Sequence, residues 1–127
     1  MIAIFAARFL RHEGIRIDSD GEQTRDYVYV ADVVRANLAV LSKGSGETYV
    51  IGAGKTTSVN AIYRALVEAT GFEAPITRAP RSAGNAREIY FNPAKAEREL
   101  GWKAQISLRA GMQATVDFLR EQQTAAV

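Results

Sequence analysis

The chain has 127 residues, of which 47% are hydrophobic and 24% charged; these values are typical of a globular protein and exclude a disordered or fibrous one. Sixteen basic against fourteen acidic residues give a net charge of +2 without long runs of one sign, so no nucleic-acid partner is indicated. Zero cysteines and one histidine exclude disulfides and thiolate metal sites, and they disfavour a His-based metal site or triad. We expect a single cytoplasmic domain over 1–127, without a metal.

The first ten residues, MIAIFAARFL, are apolar but do not form a targeting signal. They lack a cationic leading region and a small-residue cleavage site, and they are far shorter than the roughly 20 apolar residues of a membrane span. Their apolar positions repeat with helical spacing instead. We therefore expect an unprocessed, soluble chain with no membrane partner.

Hydrophobic periodicity and turn residues divide the chain into alternating helices and short strands. Helices are predicted at about 2–13, 32–43, 58–71 and 93–100, and from Leu108 until a frayed tail at 122–127. Strands are predicted at 15–17, 25–30 and 48–51, with a loop of short extended pieces at 72–93. The pattern indicates an α/β fold of mixed helices and short strands.

The second and third predicted helices have clear starts and apolar faces. Asp32 and Ser58 are residues that favour N-caps. The predicted buried faces are Val34, Leu38 and Leu41 in the second helix, and Val59, Ile62, Tyr63 and Leu66 in the third.

The segment 51–57, Ile-Gly-Ala-Gly-Lys-Thr-Thr, lies between a predicted strand and a predicted helix and invites a phosphate-loop interpretation. The Walker pattern requires a glycine five residues before Gly54, where this chain has Tyr49. Position 57 is Thr, so the dinucleotide pattern G-x-G-x-x-G fails as well. An independent nucleotide-binding domain built on this loop stays a minor alternative, and we expect no cofactor in this chain.

Arg25 and Asp26 open a strand that is otherwise apolar. A charged pair is costly to bury without compensation. A salt bridge at the strand end is the plainer explanation, and a binding role is the other. No tyrosine is followed four residues later by lysine, so the Tyr-x-x-x-Lys catalytic pair is missing.

Four motifs together resemble one family. They are Gly21–Asn37 (GEQTRDYVYVADVVRAN), Tyr49–Val59 (YVIGAGKTTSV), Asn92–Trp102 (NPAKAERELGW) and Ile106–Met112 (ISLRAGM). They are similar, in order, to motifs of the NAD-dependent epimerase/dehydratase family, the extended short-chain dehydrogenases that act on nucleotide sugars, with UDP-glucose 4-epimerase as a well-known member.

The resemblance implies a fold equivalent to the C-terminal, substrate-binding domain of extended short-chain dehydrogenases, with the Rossmann core, its NAD loop and the catalytic residues absent. Arg25 matches the family arginine that holds the nucleotide diphosphate, and Lys55 falls in a loop near the uracil ring. Asn85 falls where the family has an acidic residue that binds the ribose, and Arg81 is adjacent to position 82, where the family has a second phosphate arginine that Arg81 could replace. The implied function is nucleotide-sugar binding, with a UDP-sugar as partner, by a chain that is catalytically silent alone; NAD belongs to intact family members.

Two departures weaken this nucleotide site. Ser82 stands where the family has its second phosphate arginine, and Asp18 replaces an aromatic residue near the base. The alternative is therefore a truncated paralogue that acts as an interaction or dimerisation module. Because the region resembles one that packs on another domain in relatives, we expect an exposed apolar face and a homodimer, with the N-terminal helix as a segment for exchange.

Overall fold

A computed structural model describes residues 1–81, 84 and 86–125 of the chain. Their elements are, in order, α1 Ile2–Leu10, β1 Ile15–Asp18, β2 Thr24–Asp26, α2 Val30–Val40, β3 Thr56–Ser58, α3 Val59–Thr70, β4 Ile76–Ala79, α4 Ala94–Leu100 and α5 Leu108–Ala125. The predicted mixed α/β class is confirmed.

The chain forms two compact units. The terminal unit comprises Met1–Gln23, Ser58–Arg87 and Arg109–Val127, and the middle unit comprises Thr24–Thr57 and Glu88–Leu108. A single domain over 1–127 stays a prediction. None of the helices in the described residues is long and apolar enough to cross a membrane.

The terminal unit is built around α1, α3, α5 and a parallel pair of strands. In that pair β1 lies beside β4, with Ile15 opposite Ile76 and Ile17 opposite Arg78. The buried apolar side chains alternate along β1 and follow helical spacing on α1, α3 and α5, as each element requires when one face covers a core. They include Phe5, Phe9, Ile15, Ile17, Val59, Ile62, Leu66, Met112 and Val116.

The third predicted helix is confirmed at both ends. Ser58 caps α3, since its hydroxyl accepts a hydrogen bond from the Ala61 N–H at 3.2 Å. Gly71 ends the helix in the left-handed conformation with φ of 73°. Of the predicted face, Val59, Ile62 and Leu66 are buried, whereas Tyr63 is half-buried.

Helix α1 ends three residues earlier than predicted. The Glu13 N–H donates to the Arg8 carbonyl at 2.9 Å and the His12 N–H to the Phe9 carbonyl at 3.0 Å. This is a Schellman cap, in which the residue after the cap is left-handed. His12, with φ of 57°, takes that position. The expected stop at Gly14 was wrong because a histidine fills the place that usually holds glycine.

The middle unit contains α2, α4 and the two-stranded sheet of β2 and β3. Its core is a small cluster of Ala36, Ala96, Leu100 and Trp102. Val28, Ala39, Tyr49, Ile51 and Ala104 pack partly buried against that cluster. Helix α4 follows Pro93 and ends at Gly101 with φ of 68°, as the sequence predicted.

Four predictions for the middle unit need correction. The strand expected over 25–30 is limited to Thr24–Asp26, and residues 48–51 form no strand, although Tyr49 and Ile51 pack partly buried on the cluster. Helix α2 starts at Val30, so Asp32 lies in its first turn and is not the cap. The expected buried face is exposed: Val34, Leu38 and Leu41 are 49%, 60% and 82% accessible.

Residues 72–93, predicted as a loop with short extended pieces, contain one such piece: Ile76–Ala79 forms β4, whose backbone pairs with β1. One prediction for the tail needs correction. Residues 122–125, expected to fray, continue α5.

Candidate functional site

Asp26, the last residue of β2, holds the glycine loop that follows in the middle unit. One carboxylate oxygen accepts the Ala53 N–H at 2.7 Å and the other accepts the Gly54 N–H at 2.9 Å. Gly52 is required there, because a Cβ at that position would lie 2.7 Å from the Phe91 Cβ and 3.0 Å from an Asp26 carboxylate oxygen. The loop is thus fixed against β2 by a carboxylate.

This arrangement does not fit a phosphate loop or a dinucleotide site. Phosphate loops bind anions with free backbone N–H groups. Here the N–H groups of Ala53 and Gly54 already donate to Asp26, whose negative charge would repel a phosphate placed beside it. The glycine loop is therefore a structural tether, and no NAD chemistry can be derived from it.

Arg25 precedes Asp26 on β2 but does not pair with it. Its Nη1 donates to the Thr24 carbonyl at 2.6 Å. Within the described parts of the chain Arg25 enters no ion pair, so the expected salt bridge at the strand end is not formed. The half-buried guanidinium keeps further donors available, since it carries five N–H groups in all.

Thr24 and Tyr27, the residues on either side of Arg25 and Asp26, carry buried hydroxyl groups. Neither the Thr24 Oγ1 nor the Tyr27 hydroxyl forms a hydrogen bond with the described residues. Burial raises the pKa of Tyr27, against the opposing charge of Arg25. Unsatisfied buried polar atoms are uncommon and often mark places where a ligand or water completes the bonding. Both residues lie in the sequence motif, but only the fold shows that their hydroxyls have no hydrogen-bond partner among the described residues.

Lys55 is exposed and lies directly before β3, the strand that pairs with β2. Among the residues described it makes no hydrogen bond or ion pair. The structure therefore brings two of the four predicted binding residues, Arg25 and Lys55, to one two-stranded sheet in the middle unit.

Arg81 belongs to the terminal unit. It lines a recess there together with Asp18, Ser19, Gln23, Ala86 and Arg87. Asn85, the fourth predicted residue, and Ser82 lie outside the described residues. The position of Asp18 in this recess puts a carboxylate where the sequence comparison expected an aromatic ring, and that carboxylate is paired with Arg16 at 3.0 Å.

Arg87 is a residue of this recess that sequence reasoning missed. Its two terminal nitrogens bind the two carboxylate oxygens of Asp20 at 2.8 and 2.9 Å. The hydrogen bond from Arg87, helped by the Glu22 backbone N–H, lowers the pKa of Asp20 to about 2. The turn of Asp18, Asp20 and Glu22 had suggested only solvated carboxylates, because the sequence does not reveal that residue 87 folds back on residue 20.

A buried carboxylate organises the other end of the middle unit. Asp32, fully buried, accepts hydrogen bonds from Arg35 and from the N–H groups of Gln105 (3.1 Å) and Ile106 (3.0 Å). Burial acts to raise the pKa of Asp32, but these hydrogen bonds outweigh it and hold the pKa below its ordinary value. All its oxygens are used within the fold, so Asp32 is a structural acid. No group of three or more metal-ligating side chains occurs among the described residues.

Comparison with known proteins places the chain in a family. The family model described as GDP-mannose 4,6 dehydratase matches residues 2–115. The chain belongs to this family. The resemblance to NAD-dependent epimerases and dehydratases is confirmed by sequence and structure together.

Several relatives are UDP-glucose 4-epimerases. The enzyme of Mycolicibacterium smegmatis is 34% identical over 121 residues, which are 94% of this chain and 39% of that protein. The Thermotoga maritima UDP-glucose 4-epimerase, solved with UDP-glucose, matches with a TM-score of 0.92 and 42% identity over 96% of this chain and 40% of that one. The Thermus thermophilus UDP-glucose 4-epimerase, solved with NAD, matches with a TM-score of 0.87 and 29% identity over 94% of this chain and 39% of that one. The chain thus spans about two-fifths of the length of these relatives.

Proposed function

We propose that this chain is the nucleotide-sugar-binding part of an epimerase or dehydratase, equivalent to the C-terminal domain of the family, and that Arg25 binds the diphosphate. The observation that carries the proposal is the state of Arg25: a half-buried arginine on β2 that enters no ion pair among the described residues, although Asp26 is its neighbour. An arginine left without a carboxylate partner in a partly water-excluded place is suited to an anionic ligand.

The surroundings of Arg25 support the same role. Both carboxylate oxygens of Asp26 accept loop N–H groups, and successive side chains of a strand point to opposite faces, so Asp26 forms no ion pair with Arg25. The loop that Asp26 fixes leads directly to Lys55. The unpartnered hydroxyls of Thr24 and Tyr27 offer neutral hydrogen-bonding groups beside the cation. In this proposal Arg25 holds phosphate oxygens with paired N–H donors, and Lys55 adds a second positive charge at the same sheet.

Arg81 and Asn85 keep the roles that the resemblance implies, Arg81 toward a phosphate and Asn85 toward the ribose hydroxyls. The recess that contains Arg81 also contains the Asp18 carboxylate, which disfavours an anion there. We therefore expect weak binding of a UDP-sugar. The Thermotoga maritima relative, solved with UDP-glucose, makes that ligand the first to test.

The decisive experiment is calorimetric titration of the whole chain with UDP-glucose, UDP and uridine. Arg25→Ala should cost roughly 1.5–3 kcal/mol of binding to UDP-glucose, the scale of a hydrogen bond to a charged group, or about ten- to a hundredfold in Kd. The preference for UDP over uridine should fall with it, because only the phosphates are lost as partners.

Arg98→Ala is the matched control. Arg98 lies in the same unit on α4 and is largely exposed, and its one ion pair among the described residues is with its neighbour Glu99 at 3.0 Å. The Arg98→Ala variant should bind UDP-glucose with the same affinity as the parent chain. An Arg25→Ala variant with unchanged affinity and an unchanged preference for UDP would refute the assignment.

We also propose that the chain by itself neither binds NAD nor epimerises a UDP-sugar. The sequence lacks the Tyr-x-x-x-Lys pair, and the N–H groups of Ala53 and Gly54 are committed to Asp26. Mixing the chain with NADH should leave the fluorescence of the NADH unchanged. Saturable enhancement at micromolar NADH would overturn this part.

A second candidate function is an interaction module. The replacement of a family arginine by Ser82 and of an aromatic residue by Asp18 weakens the nucleotide site. The outward apolar residues of α2, exposed by 49–82%, favour association with another protein surface.

A further inference from the structure

The terminal unit contains a small polar recess, which we call the Gln23 recess. It is lined by Asp18, Ser19, Gln23, Arg81, Ala86 and Arg87. Its volume is about 250 Å³, with the open space at its mouth included. Pockets that enclose a drug-sized ligand measure roughly 300–1,000 Å³, so this recess has room for one ring system and not for a whole nucleotide.

Gln23 brings an unmatched acceptor to the recess. Its Nε2 donates to the Asp18 carbonyl at 3.1 Å. Only the nitrogen of a side-chain amide can donate, so this bond fixes which end of the amide is left over. The remaining atom, Oε1, is buried and has no hydrogen-bond partner among the described residues. A buried acceptor in this state marks a place where a ligand or a water supplies the donor.

The side chain of Asp18 is a second acceptor in the same recess. Its Oδ1 accepts a hydrogen bond from the Arg16 Nε at 3.0 Å. A carboxylate has about four lone-pair sites, so it can accept from more than one donor. The recess is therefore lined by a neutral amide oxygen and a charged carboxylate, a pair that suits a ligand with two donating groups.

The turn that carries these acceptors is fixed before any ligand binds. Ser19 has φ of 58°, a left-handed conformation that is uncommon for residues other than glycine. Its N–H donates to the Ala79 carbonyl at 2.7 Å, which holds the strained residue against the end of β4. Residues in such conformations cluster at ligand sites, where they preorganise the binding groups.

We propose that the Gln23 recess binds the guanine base of a guanosine nucleotide. The inference rests on the proposed function, because a nucleotide sugar brings a base, and it specifies which base the chain prefers. The pairing edge of guanine carries two adjacent donating groups, the N1–H and the N2 amino group. One donates to the Gln23 amide oxygen and the other to the Asp18 carboxylate, where the negative charge strengthens the hydrogen bond.

The other bases fit the two acceptors less well. The edge of uracil has one N–H between two carbonyl oxygens, so a carboxylate beside it meets an oxygen and repels it. Cytosine and adenine each present one amino group next to a ring nitrogen that is itself an acceptor. With any of these three bases at least one acceptor in the recess stays without a donor, which a binding site penalises strongly.

The test is calorimetric titration of the whole chain with guanosine, inosine and uridine, which carry no phosphate. Guanosine should bind at least about tenfold more tightly than uridine, the scale of a paired contact to one base edge. Inosine keeps the N1–H but lacks the N2 amino group, so its affinity should lie between the two. GDP and UDP should show the same order as guanosine and uridine.

Asp18→Asn is the variant that tests the carboxylate. It keeps the size of the side chain but removes the charge and one acceptor oxygen, so most of the tenfold preference for guanosine over uridine should disappear. Asp117→Asn is the matched control, because it makes the same change on α5 of the same unit, at an exposed residue outside the recess. Circular dichroism checks that both variants are folded, and the inosine comparison tests the proposal on the parent chain without any substitution.

Four outcomes would overturn the proposal. They are equal affinities for guanosine and uridine, inosine bound as tightly as guanosine, an Asp18→Asn chain that keeps the full preference, and no binding of guanosine at millimolar concentration, which would leave water as the partner of Gln23.

Failure of this proposal is distinguishable from failure of the Arg25 assignment. If the recess does not select guanine but Arg25 binds the diphosphate, UDP should still bind more tightly than uridine. If Arg25 does not bind the diphosphate, that preference is lost while guanosine still binds more tightly than uridine.

Discussion

The terminal and middle units differ in where they place their apolar residues. The terminal unit buries phenylalanines, isoleucines, a leucine, a methionine and valines from three helices and β1, whereas the core cluster of the middle unit has two alanines, Leu100 and Trp102. Nine of the thirteen large hydrophobic side chains that are exposed in the described residues belong to the middle unit. The comparison teaches that apolar periodicity identifies a helix without telling which of its faces the fold covers.

The same substitution in the two units gives the largest expected contrast. Leu66→Ala on α3 removes a fully buried side chain and should cost about 2–5 kcal/mol of unfolding free energy. Leu38→Ala on α2 removes one that is 60% exposed and should change the stability of the monomer by less than about 0.5 kcal/mol. Urea unfolding at concentrations below dimerisation measures both.

Equal losses for the two leucine variants would break the comparison, because Leu38 would then be buried in the free monomer. Circular dichroism should accompany fluorescence, since the single tryptophan, Trp102, lies in the middle unit and reports that unit first. Divergent transitions by the two probes would show that the units unfold separately.

Polar anchoring should compensate for the small core of the middle unit. Asp32 joins α2 to Gln105 and Ile106, and the Trp102 indole N–H donates to the Asp32 carbonyl at 2.8 Å. Asp32→Asn removes the charge that these donors stabilise and should cost roughly 1.5–3 kcal/mol. Trp102 fluorescence during urea unfolding is the measurement, and Asp117→Asn on the exposed side of α5 is the control that should stay near the parent.

The sign of the pH dependence follows from the lowered pKa of Asp32. A carboxyl whose pKa is lower in the folded state stabilises the fold above its unfolded pKa of about 3.9 and loses that contribution as the pH falls through the folded value. The parent should therefore lose more stability than Asp32→Asn on acidification below about pH 4. Parallel curves for the two chains would contradict the structural role of this carboxylate.

Sequence reasoning succeeded where a local rule decides the structure. Ser58 caps α3 through its own hydroxyl, and Gly71 and Gly101 end helices in a conformation that glycine adopts readily. The alternation of Ile15 and Ile17 predicted the strand β1, and the spacing of Ile62 and Leu66 predicted buried positions on α3, which the structure confirms. These features depend on neighbours within a few residues.

Sequence reasoning failed where residues distant in the sequence determine which side chains are buried or bonded. Leu38 has the spacing of a core residue, but Ala36 contacts the small cluster instead. Asp32 looked like a cap because the pattern could not include residues 105 and 106, which bind its carboxylate. For the candidate site, the motif predicted Arg25, but the use of Asp26 by the loop at 53–54 and the pairing of Arg87 with Asp20 required the fold.

The smallest expected effect concerns the Asp20–Arg87 pair of the terminal unit. Both side chains are about half exposed, so solvent and salt screen the pair and little stability should depend on it. Its signature is a titration: the Asp20 carboxyl should have a pKa of about 2 in the parent chain, and Arg87→Ala should return it toward 3.8. Carboxyl NMR shifts followed against pH measure both values, with Arg16→Ala as a control that leaves Asp20 alone, since Arg16 pairs with Asp18. The contribution of the pair to the stability of the fold is present above the ordinary pKa of Asp20 and disappears as the pH falls from about 4 to 2. Because salt screens the pair, high salt should shift the pKa of Asp20 toward its ordinary value. An Asp20 carboxyl that titrates at the same pH with and without Arg87 would show that Arg87 does not pair with Asp20 in solution.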